Sequence, residues 1–276
     1  LFDDEGKSYL DLCAGLVAGA STGMLGTYIV GMRIPFLGIC IAHAALAGAV
    51  FGALAGLTGT TLLLPALAAA ALSAVLVGVI DPQTVRADIN VVLGILFSFT
   101  MGLAFLGLGL FSVYGVSDNE VRSLLWGSLA FCRWHDVWLM TGTAAVELLF
   151  VVAFYKEMRA ILFSRTHAAA AGVHVTLVWT LFLLLASLVL TVNFQTVGGL
   201  MIYSLLANPA VAAARLVRGY GRMLIVAAGL GGVSGAGGFL ISAWTDLPTG
   251  AMIVILSSCL VGLALAWERW RGKRTS

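Results

Sequence analysis

Four side chains at similar apparent depth in this chain could together hold and release a cation. His43 sits inside FLGICIAHAALAGAVFGALAGLTG, an otherwise uncharged stretch, and Cys40 precedes it by one helical turn. Glu147 lies eleven residues after Asp136 in a second apolar run, and Asn208 lies in a third, just before Pro209. An ionisable group inside ~20 apolar residues marks a membrane pathway or site by default. Imidazole and thiol at i and i+3 can point the same way and favour borderline-soft ions such as zinc or iron. A carboxylate at mid-membrane must face a polar partner, a water-filled cavity or a cation, or else be protonated. His43 is the candidate partner for Glu147. Pro209 interrupts the helical ladder and can free a carbonyl to line a cavity.

The elements that position these groups must be membrane helices. The chain of 276 residues is 61% hydrophobic and 10% charged, with mean hydropathy +1.04. Ordinary soluble domains carry about 25% charged residues, so a soluble globule is excluded. Apolar runs between polar punctuation predict nine spans, at 10–32, 35–57, 59–80, 90–114, 136–155, 173–192, 197–214, 223–243 and 249–267. Eight residues past Pro35, His43 lies about 12 Å from the end of its span, and Glu147 about 16 Å from the end of its own. Those depths are nearly equal in a hydrocarbon core about 30 Å thick. The segment 124–136 is too short to cross and predicts a partial or re-entrant helix. The expected fold is an all-α integral membrane protein, one domain over residues 1–276.

Lysines and arginines set the orientation. With the N-terminus outside, twelve fall inside (Arg33, Arg86, Lys156, Arg159, Arg165, Arg215, Arg218, Arg222, Arg269, Arg271, Lys273 and Arg274), leaving Lys7, Arg122 and Arg133 outside. Eight acidic residues, among them Asp11, Asp136 and Asp246, then face outward, which suits a cation. The cluster CRWHD, with Arg133, His135 and Asp136, stands at the outer mouth, where it either receives cargo or, with Trp134 and Trp138, anchors a helix. His167 and His174 fall on the inner side as solvated or capping groups. No removable signal pattern precedes the first span.

Glycines lie within the apolar runs. Gly15, Gly19 and Gly23 share a helical face, as do Gly48, Gly52 and Gly56, predicting close helix packing. Neither Gly6-Lys7-Ser8 nor Gly229 to Gly238 has the strand–loop–helix setting of a nucleotide site. Any ATP chemistry belongs to another polypeptide. Four cysteines at unrelated spacings indicate neither a disulfide framework nor a structural zinc site.

The run FLGICIAHAALAG resembles the FLGDALSHAVLPG pattern of the manganese, zinc and iron permeases of ATP-binding-cassette importers. VGGLMIYSLLANPAVAAARLV and TDLPTGAMIVIL resemble that family's VGxLLVxALLxxPAAxARLL and DLPSGxxIVL, and KEMRAILFSRTHAAAAG keeps the frame of KELLLxSFDPELARALG. The resemblance runs from the first span to the ninth. It implies a multi-pass permease of the bacterial inner membrane, paired with a second copy or close relative. Cytoplasmic ATP-binding subunits would power it, and an extracytoplasmic binding protein would deliver a divalent metal. No cofactor in this chain and no nucleic-acid partner are expected.

The family's metal-path histidine corresponds to His43, and the aspartate of DLPSG to Asp246. The segment at about 157–172, with Arg159, Phe163 and Arg165, would be the coupling helix seated in the ATPase. The chain departs from the family at Ile39, where the pattern has aspartate, and at Ala42 and Ala47, where it has serine and proline. Two other readings stay open: a small non-metal solute or metal chelate carried on the same scaffold, and an ion-coupled secondary carrier using His43 and Glu147.

Overall fold

The computed structural model describes residues 5–79, 88–115 and 132–272, and the described residues form helices without strands. The long helices are α1 (Glu5–Gly31), α2 (Phe36–Leu54), α3 (Leu63–Val79), α4 (Ile89–Tyr114), α5 (Trp134–Ala153), α8 (Val175–Val197), α9 (Gly199–Leu216), α10 (Tyr220–Thr245) and α11 (Thr249–Gly272). Eight of these nine are long and apolar enough to cross a bilayer, and α9 carries the shorter apolar helix Met201–Leu216. The nine expected spans are present, with ends shifted by a few residues. Most of the expected partial helix at 124–136 lies outside the described residues, as do Arg86, Arg122, Lys273 and Arg274.

Three helices supply most of the interior. Leu25, Tyr28 and Ile29 of α1, Leu37, Ile41 and Leu46 of α2, and Phe182, Leu183 and Leu190 of α8 are fully or almost fully buried. By contrast, α3, α4, α5 and α11 leave large apolar side chains outward, such as Leu64, Phe99, Leu149 and Leu263. Such faces suit hydrocarbon.

Glycine makes the closest seam. A Cβ at Gly15, Gly19 or Gly23 of α1 would collide with the backbone of Gly235, Gly231 or Ala227 of α10. The backbones can therefore approach only because those side chains are missing. A Cβ at Gly48 would strike the Pro65 backbone of α3, and one at Gly52 the Pro65 ring. Gly56 departs from expectation: it has φ +84° just past the end of α2, with open space around it, and shapes a turn.

Charge and aromatic side chains distinguish the two ends of the bundle. At one end, Asn90 of α4 donates to the Arg33 carbonyl, Arg215 of α9 pairs with Glu268 of α11 at 3.3 Å, and the rings of Tyr155 and Tyr220 of α10 meet at a tilt, centroids 5.0 Å apart. This basic end also carries Trp267 and Trp270. The opposite end joins Leu10, Val137, Val197 and Ile253 in a small apolar cluster and exposes Trp134, Trp138 and Trp244. Tryptophans at both ends match the two interfacial belts of a bilayer.

Two short helices connect α5 to α8 at the basic end: α6 (Tyr155–Phe163) and α7 (Arg165–Ala170). The expected single coupling helix is thus broken at Ser164, whose backbone is extended and whose Oγ accepts from the His167 amide. N-caps of this kind satisfy a free amide and start a new helix.

Candidate functional site

His43 is buried in the middle of α2. Its Nδ1 lies 2.9 Å from the Ile39 carbonyl oxygen, and its ring stands edge-on to Phe97 of α4 with centroids 4.9 Å apart. A carbonyl only accepts, so Nδ1 carries the proton, and in the neutral ring Nε2 keeps its lone pair. Nε2 makes no hydrogen bond to a described residue. Fixing one ring nitrogen on a backbone carbonyl is the usual way to present the other to a metal. Position 39 contributes its backbone carbonyl to the histidine and an apolar side chain to the surroundings.

Cys40 is fully enclosed in the apolar core with Ile41 and Leu37 and has a free thiol. Glu147 is 1% exposed, and neither carboxylate oxygen has a hydrogen-bond partner. It sits on the buried face of α5 with Met140, Thr143 and Val151. His43 and Glu147 do not form the expected pair. Their helices both pack against α8, the His43 ring stands against Phe97, and Glu147 has no hydrogen-bond partner among the described residues.

Asn208 is committed elsewhere. Its amide donates to Ser257 Oγ at 3.0 Å and Ser258 Oγ at 3.2 Å, tying α9 to α11, while the helix continues through Pro209. Among the described residues no group of three or more His, Cys, Asp or Glu side chains is arranged to hold a metal. His43, Cys40 and Glu147 are therefore not one ligand cage, and Asn208 is held by its two serines.

At the opposite end, Asp136 accepts from the Arg133 amide at 2.9 Å and lies 3.9 Å from His135, so it caps the start of α5. Asp246 is exposed and ends α10 with a left-handed backbone, φ 54°. Cys132, just outside the span, lies near Asp136 and Asp11. Burial pushes its thiol up to about 12, with the two carboxylates adding to the effect.

The basic end presents Phe163. Met158, Ile161 and Ala168 anchor α6 and α7 to the body, leaving Phe163 85% exposed beside Arg159 and Tyr155. Arg165 turns inward instead, its guanidinium 4.5 Å from the Trp179 ring centroid. Single-sequence reading missed one polar contact altogether. Buried Asn193 of α8 donates to Ser21 Oγ at 2.9 Å and Thr22 Oγ1 at 3.0 Å of α1. Asn193 in the run LVLTVNF was the available signal, since an amide inside a span seeks an interhelical partner.

Comparison with known proteins extends the local geometry to the whole chain. The model of the ABC 3 transport family matches residues 10–268. A manganese transport system membrane protein of Halalkalibacterium halodurans is 29% identical over 97% of this chain and 92% of its own. A zinc transport system membrane protein of Treponema pallidum is also 29% identical, over 95% and 91%. The solved PsaBC from Streptococcus pneumoniae, in complex with Fab, matches in fold with TM-score 0.82 at 21% identity, covering 95% of this chain and 92% of that one. With nine apolar helices in this order and the family model spanning nearly its whole length, the chain belongs to the ABC 3 transport family.

Proposed function

We propose that this chain is the membrane permease subunit of an ATP-driven importer whose cargo is a divalent first-row metal ion. The observation that carries the reading is the buried His43, held by the Ile39 carbonyl so that Nε2 keeps its lone pair. Neutral imidazole is a common ligand for such ions, and a single nitrogen suits a site that must release what it binds. The relatives named for manganese and zinc transport support the same cargo class. Glu147 is a second station, where a carboxylate offsets part of the ion's charge as the helices around α8 rearrange. Cys40 would tune preference through its sulfur, and Asn208 would position α9 against α11.

The nucleotide is bound by partner subunits. Phe163 and Arg159 form the seat for the ATPase on the basic end, which the charge bias makes cytoplasmic, while His135, Asp136 and Asp246 stand at the entrance facing a delivering protein. A second permease copy or close relative completes the pathway. The test is uptake of manganese and zinc into vesicles containing the permease, its ATPase and the binding protein. Uptake that requires ATP and survives a protonophore supports the importer; uptake without the ATPase would make the chain a secondary carrier.

A further inference from the structure

Helices α5 and α10 both pack on α1 and leave between them a crevice of about 1100 Å³, floored by Met24. Its walls are apolar and outward-facing, with Leu148 and Val152 on α5 and Ile225 on α10 all more than half exposed. Lys156 and Arg222 stand over its basic end, against one acidic side chain, Glu157. Neither cation makes a hydrogen bond or ion pair with a described residue. Arg222 also borders a second groove, where Arg218 stands beside Trp267 and Trp270.

We propose that this crevice binds one anionic phospholipid of the inner leaflet, its acyl chain along Leu148, Val152 and Ile225 and its phosphate between Lys156 and Arg222. The apolar walls open toward the bilayer, where a hydrocarbon chain is the available filler. The two cations lie at the level of Tyr155, Tyr220 and the tryptophan belt, which is the depth of a head group. Basic pockets between membrane helices on the cytoplasmic side select anionic head groups by this combination. A zwitterionic lipid brings its own ammonium and gains little from Lys156 and Arg222. A free phosphate gains nothing from the apolar walls. The occupant is therefore a lipid with net negative charge, and it bridges the helix bearing Glu147 to the helix seamed against α1.

The test uses the delipidated permease–ATPase complex in native mass spectrometry, titrated with phosphatidylglycerol and with phosphatidylcholine. The expected result is one phosphatidylglycerol retained per permease in preference to phosphatidylcholine. Lys156→Gln with Arg222→Gln should weaken phosphatidylglycerol about thirty-fold, two head-group contacts' worth, and leave phosphatidylcholine unchanged. Val152→Trp, which fills the crevice without touching the charges, should weaken both lipids. Equal affinity for the two lipids, or phosphatidylglycerol binding unaffected by either variant, would overturn the site. So would displacement of the lipid by millimolar inorganic phosphate, or an intermolecular disulfide formed by Val152→Cys, which would mean that a second copy covers this face.

Discussion

The imidazole Nδ1 of His43 is held 2.9 Å from the carbonyl oxygen of Ile39, the residue at which this chain departs from the aspartate of the pattern FLGDALSHAVLPG that its sequence resembles. One position thus orients the histidine through its backbone and withholds a carboxylate through its side chain. Restoring that carboxylate should change which ion passes: Ile39→Asp is expected to raise manganese uptake relative to zinc several-fold, because oxygen ligands favour the harder ion. Competition between the two metals in vesicle uptake measures it. An unchanged ratio would remove position 39 from the pathway.

Glu147 is buried without a hydrogen bond, an arrangement that costs folding energy. Glu147→Met should therefore melt higher than the wild type while uptake falls at least ten-fold, the signature of a residue kept for function at the expense of stability. Thermal unfolding in detergent and vesicle uptake report the two effects separately. A lower melting temperature together with full uptake would assign Glu147 to structure.

Interhelical amides should behave in the opposite sense. Asn193→Ala removes the donors to Ser21 and Thr22 and should cost about 1–2 kcal/mol. Asn208→Ala should cost about 1 kcal/mol by loosening α9 from α11, with the manganese-to-zinc ratio unchanged. A shift in that ratio would return Asn208 to the ion path.

The glycine seam gives a sharper contrast. Gly19→Val or Gly231→Val drives a side chain into the facing backbone and should prevent stable folding, whereas Gly229→Ala, with open space at its Cβ position, should be tolerated. Yield of monodisperse protein on size-exclusion chromatography separates the two outcomes.

Phe163 is 85% exposed on a segment anchored by Met158 and Ile161. Phe163→Asp should leave the permease folded and reduce binding of the ATPase by at least ten-fold, since an exposed aromatic on a rigid base is a strong interface anchor. Cys132, with its thiol raised to about 12, should resist maleimide at pH 7.5 because the thiolate is the nucleophile. It should label only after denaturation or as the pH approaches that value.

The spans were legible because hydrocarbon demands long apolar helices, a constraint that composition records directly. The seam of Gly15, Gly19 and Gly23 was legible because small residues recur every fourth position, though Gly56 belonged to the chain's turn and not to that packing. Position along each helix was legible too, since rise per residue is fixed. Azimuth was not. Counting residues gives where His43 and Glu147 lie along their helices but not which neighbour each faces: the rotation of α2 sets His43 against Phe97, and that of α5 puts Glu147 on its buried face. For the same reason the sequence makes Asn208 a candidate ligand, whereas its amide is turned to two serines of α11. The break at Ser164 was hidden because a capping serine has no apolar periodicity to reveal it.

The most direct test is ATP-driven uptake of manganese and zinc by the His43→Ala permease, reconstituted with its ATPase and binding protein and shown to assemble normally. Loss of the buried His43 imidazole should reduce uptake of both metals at least a hundred-fold. Uptake of either metal at the wild-type rate would contradict the assignment of His43 to the transport path.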